Sequence, residues 1–483
     1  MMFRLLPFLF ALTLSGANRP NVLFIAVDDL NDWVNCMGGR KGVLTPNIDR
    51  LAARGVLFTN AHCSAPSCNP SRVAVMTGVA PWSSGIYNNG QDWRQSPRLK
   101  NAVTLPEHFR SGGYETYGGG KIFHALSWIS DGYGKQQNES KIWDSYWPQA
   151  DNPMPEPLWP KASNAKRGDN GYLYSKPIAV GKDLKGRPPH FFDWAPDDQP
   201  EFETADYKVV DWAAKQLLRP RKRPFFHAVG IFRPHIPWYA PQKYFDLYPE
   251  NKVFLPKVLD GDLDDVPKRG HSGIRKSWHK WLMENDEWQG AVRGYLASIS
   301  FADAQVGRLL DALDASQYAK NTIIVLWSDH GMHIGEKQQW EKFTLFEEST
   351  RIPLVIVAPG VTKAGSVCNR PVSLIDLYPT LNELCGLKLR DDLNGLSLVS
   401  LLRNSKAKWE RPAITTWGRN NHSARGLRYR YILHPDGSEQ LYDHQVDPDE
   451  FHNIADQPGT DAIKDRLAQW LPTQSAPPVS NKN

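Results

Sequence analysis

Four apolar runs with almost no polar interruption punctuate the chain: NVLFIAV (21–27), FFHAVGIF (225–232), NTIIVLW (321–327) and PLVIVAP (353–359). Runs of this kind suit strands buried on both faces, as in a parallel sheet covered by helices. Between them the spacing turns helical. TPNIDRLAARG (45–55) offers a threonine cap, a proline in the first turn and a closing glycine, and TLPEHFRSGG (104–113) repeats that grammar. RGYLASISFADAQVGRLLDALDA (293–315) carries apolar residues at steps of three and four, and SLIDLYPTLNELCG (373–386) again closes on glycine. Strands alternating with helices predict an α/β doubly wound domain over residues 18–390.

Beyond residue 390 the pattern becomes short, polar and aromatic. ITTW, RGLRYRYILH and EQLYDH read as strands, HPDGSE (434–439) as a turn, and residues 459–471 as a helix. They predict a smaller C-terminal α+β subdomain over 391–483. Residues 126–203 and 250–290 show little periodicity and read as long insertions, which in an enzyme shape the substrate entrance. At the N-terminus, MMFRLLPFLFALTLSGA (1–17) sets Arg4 before a short apolar run and small residues. That run reads as a secretory signal, too short to span a bilayer as a mature helix; a buried N-terminal segment is the other reading. The signal predicts an exported protein (periplasmic, secreted or of a lysosomal type) with no membrane span in the mature chain.

Composition changes this picture little. The 483 residues suffice for a large core, and 41% apolar with 23% charged residues is an ordinary globular mixture. The net charge of +5 is spread along the chain, which argues against a nucleic-acid partner. The one dense basic stretch, RPRKRP (219–224), suits a helix C-terminus. Eighteen tryptophans serve either packing or stacking on sugar rings. Five cysteines stand at 36, 63, 68, 368 and 385. With Cys68 set aside, the other four allow three pairings, of which Cys368 with Cys385 is nearest in sequence; the sequence leaves the choice open.

In open α/β sheets, ligands sit at the carboxyl ends of the strands. The first run ends in Asp28-Asp29, the second leads to His235 in RPHIPW, and the third to Asp329-His330 in SDHGMH. An Asp-Asp pair alone reads as a helix cap. An Asp-His pair closing another buried strand points instead to a hard divalent cation, calcium or magnesium before zinc. GGGKIFH (118–124) adds Lys121 and His124, and QQWEKFTLFEE (338–348) adds Lys342. GGGK lacks the spacing of a phosphate-binding Walker loop. Each lysine alone is a surface charge; gathered around a metal, they suggest a tetrahedral oxyanion substrate.

CNPSRVAVMTG (68–78) resembles the signature of the type I sulfatases, Cys-x-Pro-Ser-Arg followed by a helix ending in Thr-Gly. In the same order, NVLFIAVDDL, GGGKIFH, FRPHIPW and SDHGMHIGEKQQWEKFTLFEESTRIPLVIVAPG resemble the iduronate-2-sulfatase branch. The likeness covers 20–390 well and continues weakly beyond. It implies an alkaline-phosphatase-like sulfatase fold, with a large mostly parallel sheet flanked by helices, and the hydrolysis of sulfate esters. It implies that a formylglycine-generating or equivalent maturation enzyme oxidises Cys68 to Cα-formylglycine, whose hydrate attacks sulfur and then expels sulfate as the carbonyl re-forms. By the same resemblance Asp28, Asp29, Asp329 and His330, with residue 68, bind Ca2+, with Mg2+ the second choice. The family more often has Asn where His330 stands, though the branch shares the Asp-His pair; an imidazole there can bond sulfate instead. Arg72 would hold the hydrate and Lys121 and Lys342 would neutralise sulfate oxygens. His124 and His235 would act as base and acid, in an order that spacing cannot assign.

The sugar must be read elsewhere. TTWGRNNHSARGLRYRY (415–431) gathers Arg419, Asn420, His422 and Arg425, where an arginine pair can bind a uronate carboxylate or a second sulfate, or simply form a solvated turn. His333, Gln339 and Trp340 stand closer to the metal loop. The substrate expected is a sulfated carbohydrate, a glycosaminoglycan or an algal polysaccharide, with the branch pointing to a 2-sulfated uronate. Two other readings stay open: a formylglycine-dependent phosphate or phosphonate ester hydrolase, and an unmatured, non-catalytic binder of sulfated glycans. The oligomeric state is not legible.

Overall fold

Each of the four apolar runs forms a strand of one sheet. The structure, a computed structural model, describes residues 19–38, 41–124, 142–148, 192–197 and 200–480. The signal-like run and most of the 126–203 stretch lie outside the described residues. The strand order is Ser366–Cys368, Val56–His62, Arg351–Val357, Thr322–Ser328, Asn21–Val27, Phe225–Ile231, Glu115–Gly120 and Ser145–Trp147, with Val372–Ser373 also beside Val56–His62. The central strand Asn21–Val27 is wholly buried and runs parallel to both neighbours. This is the mostly parallel sheet of an alkaline-phosphatase-like fold, with helices packed against it.

One of the four runs departs from the parallel expectation. Arg351–Val357 lies antiparallel to both Val56–His62 and Thr322–Ser328. Its run is apolar because both its faces are covered, and burial says nothing of direction. Pro353, which has no N–H to give, stands where the register shifts between Ile352 and Leu354.

The glycine-rich Glu115–Gly120 is a strand, and the glycines are what permit it. A Cβ on Gly120 would stand 2.0 Å from the Gly230 carbonyl oxygen, and one on Gly230 would stand 2.1 Å from that of Lys121. Only two residues without side chains let these strand ends approach so closely. That approach carries Lys121 to the sheet's rim.

The expected helices form as Pro46–Ala52, Leu105–Ser111, Trp288–Asp314 and Leu377–Leu384. Thr104 and Glu107 close a capping box on the second. Ala205–Leu217 precedes the RPRKRP stretch, whose Arg221 lies 3.9 Å from the centre of the Tyr117 ring and pairs with Glu115 at 2.8 Å. All five cysteines are free, so Cys368 and Cys385 form no bridge. Among the described residues no helix is long and apolar enough to cross a membrane.

The C-terminal part holds a four-stranded antiparallel sheet, Ala413–Thr416, His422–Arg425, Tyr429–Leu433 and Glu439–Asp443, with the helix Asp461–Ala468 against it. A buried ionic cluster fastens it to the main sheet's loops. Arg430 bonds Glu450, Glu347, the Leu345 carbonyl at 3.0 Å and Thr350 at 2.9 Å. Removing one partner leaves the buried carboxylates uncompensated. Arg430→Met is therefore expected to cost about 3–5 kcal/mol, read from the midpoint of urea unfolding; an unchanged midpoint would remove this cluster from the account of stability.

Candidate active site

Parallel pairing aligns the strand ends. Val27 stands opposite Ser328 on one side and Ile231 on the other. The residues that follow, Asp28-Asp29, Asp329-His330 and the segment leading to His235, therefore leave the sheet side by side. Asp29 takes a left-handed backbone with φ of 59°, a conformation aspartate adopts more readily than most residues. Its N–H donates to Asp329 Oδ1 at 3.1 Å and its carbonyl accepts from the Tyr295 hydroxyl at 2.8 Å.

Cys68 opens the helix Cys68–Thr77, every residue of which is buried and which ends on Gly78 at φ of 70°. The four-residue spacing puts Arg72 one turn along, on the same face. Cys68 Sγ lies 3.2 Å from His330 Nε2, 3.5 Å from Lys342 Nζ, 3.8 Å from Lys121 Nζ and 3.9 Å from Asp29 Oδ1. The helix N-terminus adds partial positive charge at the same point.

The acidic and basic groups interlock. Arg72 bonds Asp28 Oδ1 and Asp329 Oδ2, both at 2.8 Å, and donates to the Lys121 and Ile122 carbonyls. Lys121 bonds Asp28, and Lys342 reaches both Asp29 oxygens at 2.7 and 2.8 Å. The Arg72 guanidinium spans two aspartates and locks their orientation.

These surroundings shift the proton affinities. Burial pushes Asp29 up to about 7, against the pull of Lys342. Burial opposes the Asp329 carboxylate too, but Arg72 and His330 hold it well below the usual range. Burial also opposes a charged His330, yet the Asp329 carboxylate raises it to about 9. For Cys68, Lys121 and Lys342 outweigh burial and lower the thiol. His124 and His235 are pushed well below the ordinary histidine value by burial and the nearby lysines, so both are neutral at neutral pH. The close contact of His235 Nδ1 with the Ile236 carbonyl, 2.6 Å, assigns the proton to Nδ1 and leaves Nε2 bare, 3.8 Å from Asp29 Oδ2. His124 is buried, and neither ring nitrogen has a partner among the described residues. Such an imidazole has its hydrogen-bonding capacity free for a ligand.

The donor set fits a divalent cation. Asp29, Cys68, Asp329 and His330 each offer an atom, all within 4.8 Å of one another, and Asp28 joins Asp29 and His235 in an adjoining group. His330 Nδ1 pairs with the Gly331 carbonyl at 2.9 Å, the kind of outer contact that turns the other nitrogen of a ligating histidine to its metal. The carboxylate oxygens are the hard donors that calcium and magnesium take.

Comparison with known proteins agrees with this geometry. The sulfatase family model matches residues 20–387, so the chain belongs to the sulfatase family and is a sulfuric ester hydrolase. The model of the N-sulphoglucosamine sulphohydrolase C-terminal region matches residues 335–476. Within the family, the chain is 33% identical to the human iduronate 2-sulfatase over 415 residues, 78% of this chain and 70% of that one. It is 37% identical to a sulfatase of Formosa agariphila over 454 residues, covering 91% of this chain and 83% of the relative. A solved structure in complex with its substrate D-glucosamine-2-N,6-O-disulfate shares the fold, with a TM-score of 0.69 at 21% identity, covering 94% of this chain and 96% of that one.

Five of the seven side chains expected to read the sugar are committed inside the protein, while Arg419 and Asn420 are exposed. His333 is buried with Nε2 on the Thr344 hydroxyl at 2.7 Å. Gln339 accepts from the Arg275 N–H at 2.6 Å and donates to the Lys342 carbonyl at 2.6 Å, which holds the Lys342 segment in place. Trp340 packs among Phe192, Trp238 and His279. His422 sits between Thr416 and Ser475, and Arg425 pairs with Glu347 at 3.1 Å. Arg419 donates to the Ser475 carbonyl at 3.2 Å, and Asn420 occupies a left-handed turn. Strand pairing in the C-terminal sheet turns His422 and Arg425 inward.

A different group stands next to the nucleophile. The Phe343 N–H donates to the Pro66 carbonyl at 3.2 Å, two residues before Cys68. The Phe343 ring lies 5.3 Å from Trp417, and the Arg275 guanidinium lies 4.2 Å from the centre of Trp278 and 5.4 Å from that of Phe343. Arg275 comes from the 250–290 stretch. The only sequence signal for it was that stretch's lack of periodicity.

Proposed function

We propose that this enzyme removes sulfate from a sulfated carbohydrate, using a nucleophile formed from Cys68. The observation that carries the reading is the buried cysteine at a helix N-terminus, with Sγ between 3.2 and 3.9 Å from His330, Lys342, Lys121 and Asp29. A divalent cation held by Asp28, Asp29, Asp329, His330 and residue 68 supplies charge stabilisation at the attacked sulfate. Formylglycine at position 68 supplies, as its hydrate, an oxygen nucleophile and a route to release sulfate that serine lacks. The chain's own residues do the rest. Lys121 and Lys342 neutralise sulfate oxygens, Arg72 keeps Asp28 and Asp329 aligned, and the helix N-terminus adds to the anion's attraction. His124 and His235, both neutral in the resting site, divide the proton transfers. The reading includes export of the chain and its maturation by a formylglycine-generating or equivalent enzyme.

Support for a carbohydrate comes from the likeness to iduronate 2-sulfatases and to an ulvan-active sulfatase of Formosa agariphila, 27% identical over 469 residues. Incubation with defined sulfated disaccharides, 2-sulfated uronates among them, should release sulfate from at least one. No release from any, or faster cleavage of a matched aryl phosphate, would overturn the reading.

The acid and the base separate by leaving group. The histidine that protonates the departing oxygen matters for a sugar alcohol and little for an activated phenol. Its alanine variant should lose about 10²-fold or more on a sugar sulfate while keeping most turnover of an aryl sulfate. Equal losses on both substrates in both His124→Ala and His235→Ala would contradict the division.

Arg275, half-buried, stacked on Trp278 and paired with Glu341 at 2.9 Å, is our candidate for reading a charged group beside the scissile sulfate, because unlike Arg425 it keeps part of its side chain open to solvent. Arg275→Ala should raise KM for an anionic oligosaccharide by about ten-fold, the worth of one charged hydrogen-bonded contact, with little effect on a small aryl sulfate. Equal effects would remove that role.

A further inference from the structure

A basic, aromatic-lined groove lies beside the C-terminal sheet, built from residues the catalytic chemistry does not use. A groove of about 630 Å³ runs between the turn 426–429, the segment 409–412 and the end of the C-terminal helix. Its walls combine aromatic faces with arginines. Trp470 is 42% exposed and Leu427 50% exposed, which leaves a large apolar surface open to water. Trp409 also lines the groove and is held by its indole N–H on the Pro371 carbonyl at 2.8 Å.

The charge of the groove is positive. Arg370, Arg428 and Arg466 line it, against the single acid Glu410. Glu410 is already matched by Lys408 at 3.0 Å. Arg428 is shared with Asp443 at 2.6 Å. Arg370 and Arg466 have no carboxylate partner among the described residues, and the buried Arg370 Nε has no acceptor there. Two guanidiniums without a carboxylate partner among the described residues, beside the exposed Trp470 indole, match a polymer that carries fixed anions on rings with apolar C–H faces.

We propose that this groove is a non-catalytic binding site for a sulfated polysaccharide chain. The inference rests on the reading of the active site as one for sulfated carbohydrate, since the groove then holds a polymer of which other segments carry the scissile ester. The benefit is one of effective concentration: a chain held at the groove returns to the catalytic site without diffusing away.

The test uses the full chain and the double variant Arg466→Gln/Trp470→Ala. Both positions are exposed, and an unchanged thermal midpoint would establish that the variant is folded. Binding to heparin is measured at low salt, with N- and O-desulfated heparin as control, together with kcat/KM on 4-nitrocatechol sulfate. The expected result is heparin binding weakened by about ten-fold, no binding of the desulfated polymer by either protein, and unchanged turnover of the small ester. Equal heparin affinity in the two proteins would overturn the proposal. So would equal groove-dependent affinity for single-stranded DNA, which would make the groove a general polyanion site. A dimer present in the wild type and lost in the variant would overturn it too, giving the groove to a second copy. Failure of the wild type to cleave any sulfate ester would sink the active-site reading, and the heparin measurement would still judge the groove by itself.

Discussion

Cys68→Ser is expected to yield a folded protein that releases at most one alcohol per chain and no free sulfate. The substitution keeps an oxygen at the helix N-terminus, beside Lys121, Lys342 and His330. Attack on sulfur is therefore still open to it. What serine lacks is the second oxygen whose deprotonation expels sulfate, so the sulfated side chain is a dead end. Steady-state turnover should fall by at least about 10³-fold, the scale seen when a nucleophile is removed from a site whose other parts are intact. A burst assay with an activated aryl sulfate reads both quantities together. Sustained turnover by the serine variant would show that the nucleophile comes from somewhere else.

Arg72→Met should damage the protein more broadly. The guanidinium is fully buried, spans Asp28 and Asp329 at 2.8 Å each, and satisfies two backbone carbonyls. Methionine fills much of the volume and answers none of these groups. Two carboxylates then face each other in the interior without their shared cation, and removing one member of such an arrangement costs about 3–5 kcal/mol. Activity should be lost as well, because the same contacts aim the acidic groups at position 68. The prediction separates positioning from chemistry: added calcium should recover part of the thermal stability, since a dication also neutralises the aspartates, yet not the full activity. A variant as stable as the parent in the absence of metal would contradict this role.

The strands were legible where both faces are covered. NVLFIAV and NTIIVLW leave no choice of face, and their carboxyl ends announced Asp28, Asp29, Asp329 and His330 directly. Val56–His62 was harder, because Thr59, Asn60 and His62 break the apolar run; their polar groups are answered by the Cys368 and Asn369 carbonyls and by each other. Glu115–Gly120 was hidden by its glycines, whose purpose is visible only once the neighbouring strand is in place. The nucleophile, the lysines and the histidines each stand in a short motif fixed by local chain geometry. The sugar-reading residues do not. Arg425 and His422 have the right chemistry for a substrate, but whether such a side chain faces a ligand or an internal Glu347 depends on pairing between segments nearly eighty residues apart. Arg275 reverses the case, being unremarked in the sequence and carried to the catalytic loop by tertiary packing alone.

The central claim is that the group doing the chemistry is an oxidised Cys68. The direct measurement prepares the protein with graded degrees of maturation, determines by peptide mass spectrometry the fraction of chains bearing an aldehyde at position 68, and assays sulfate release from the same samples. The account predicts activity proportional to the aldehyde fraction and vanishing with it. Full turnover from a preparation whose residue 68 is entirely thiol would contradict it.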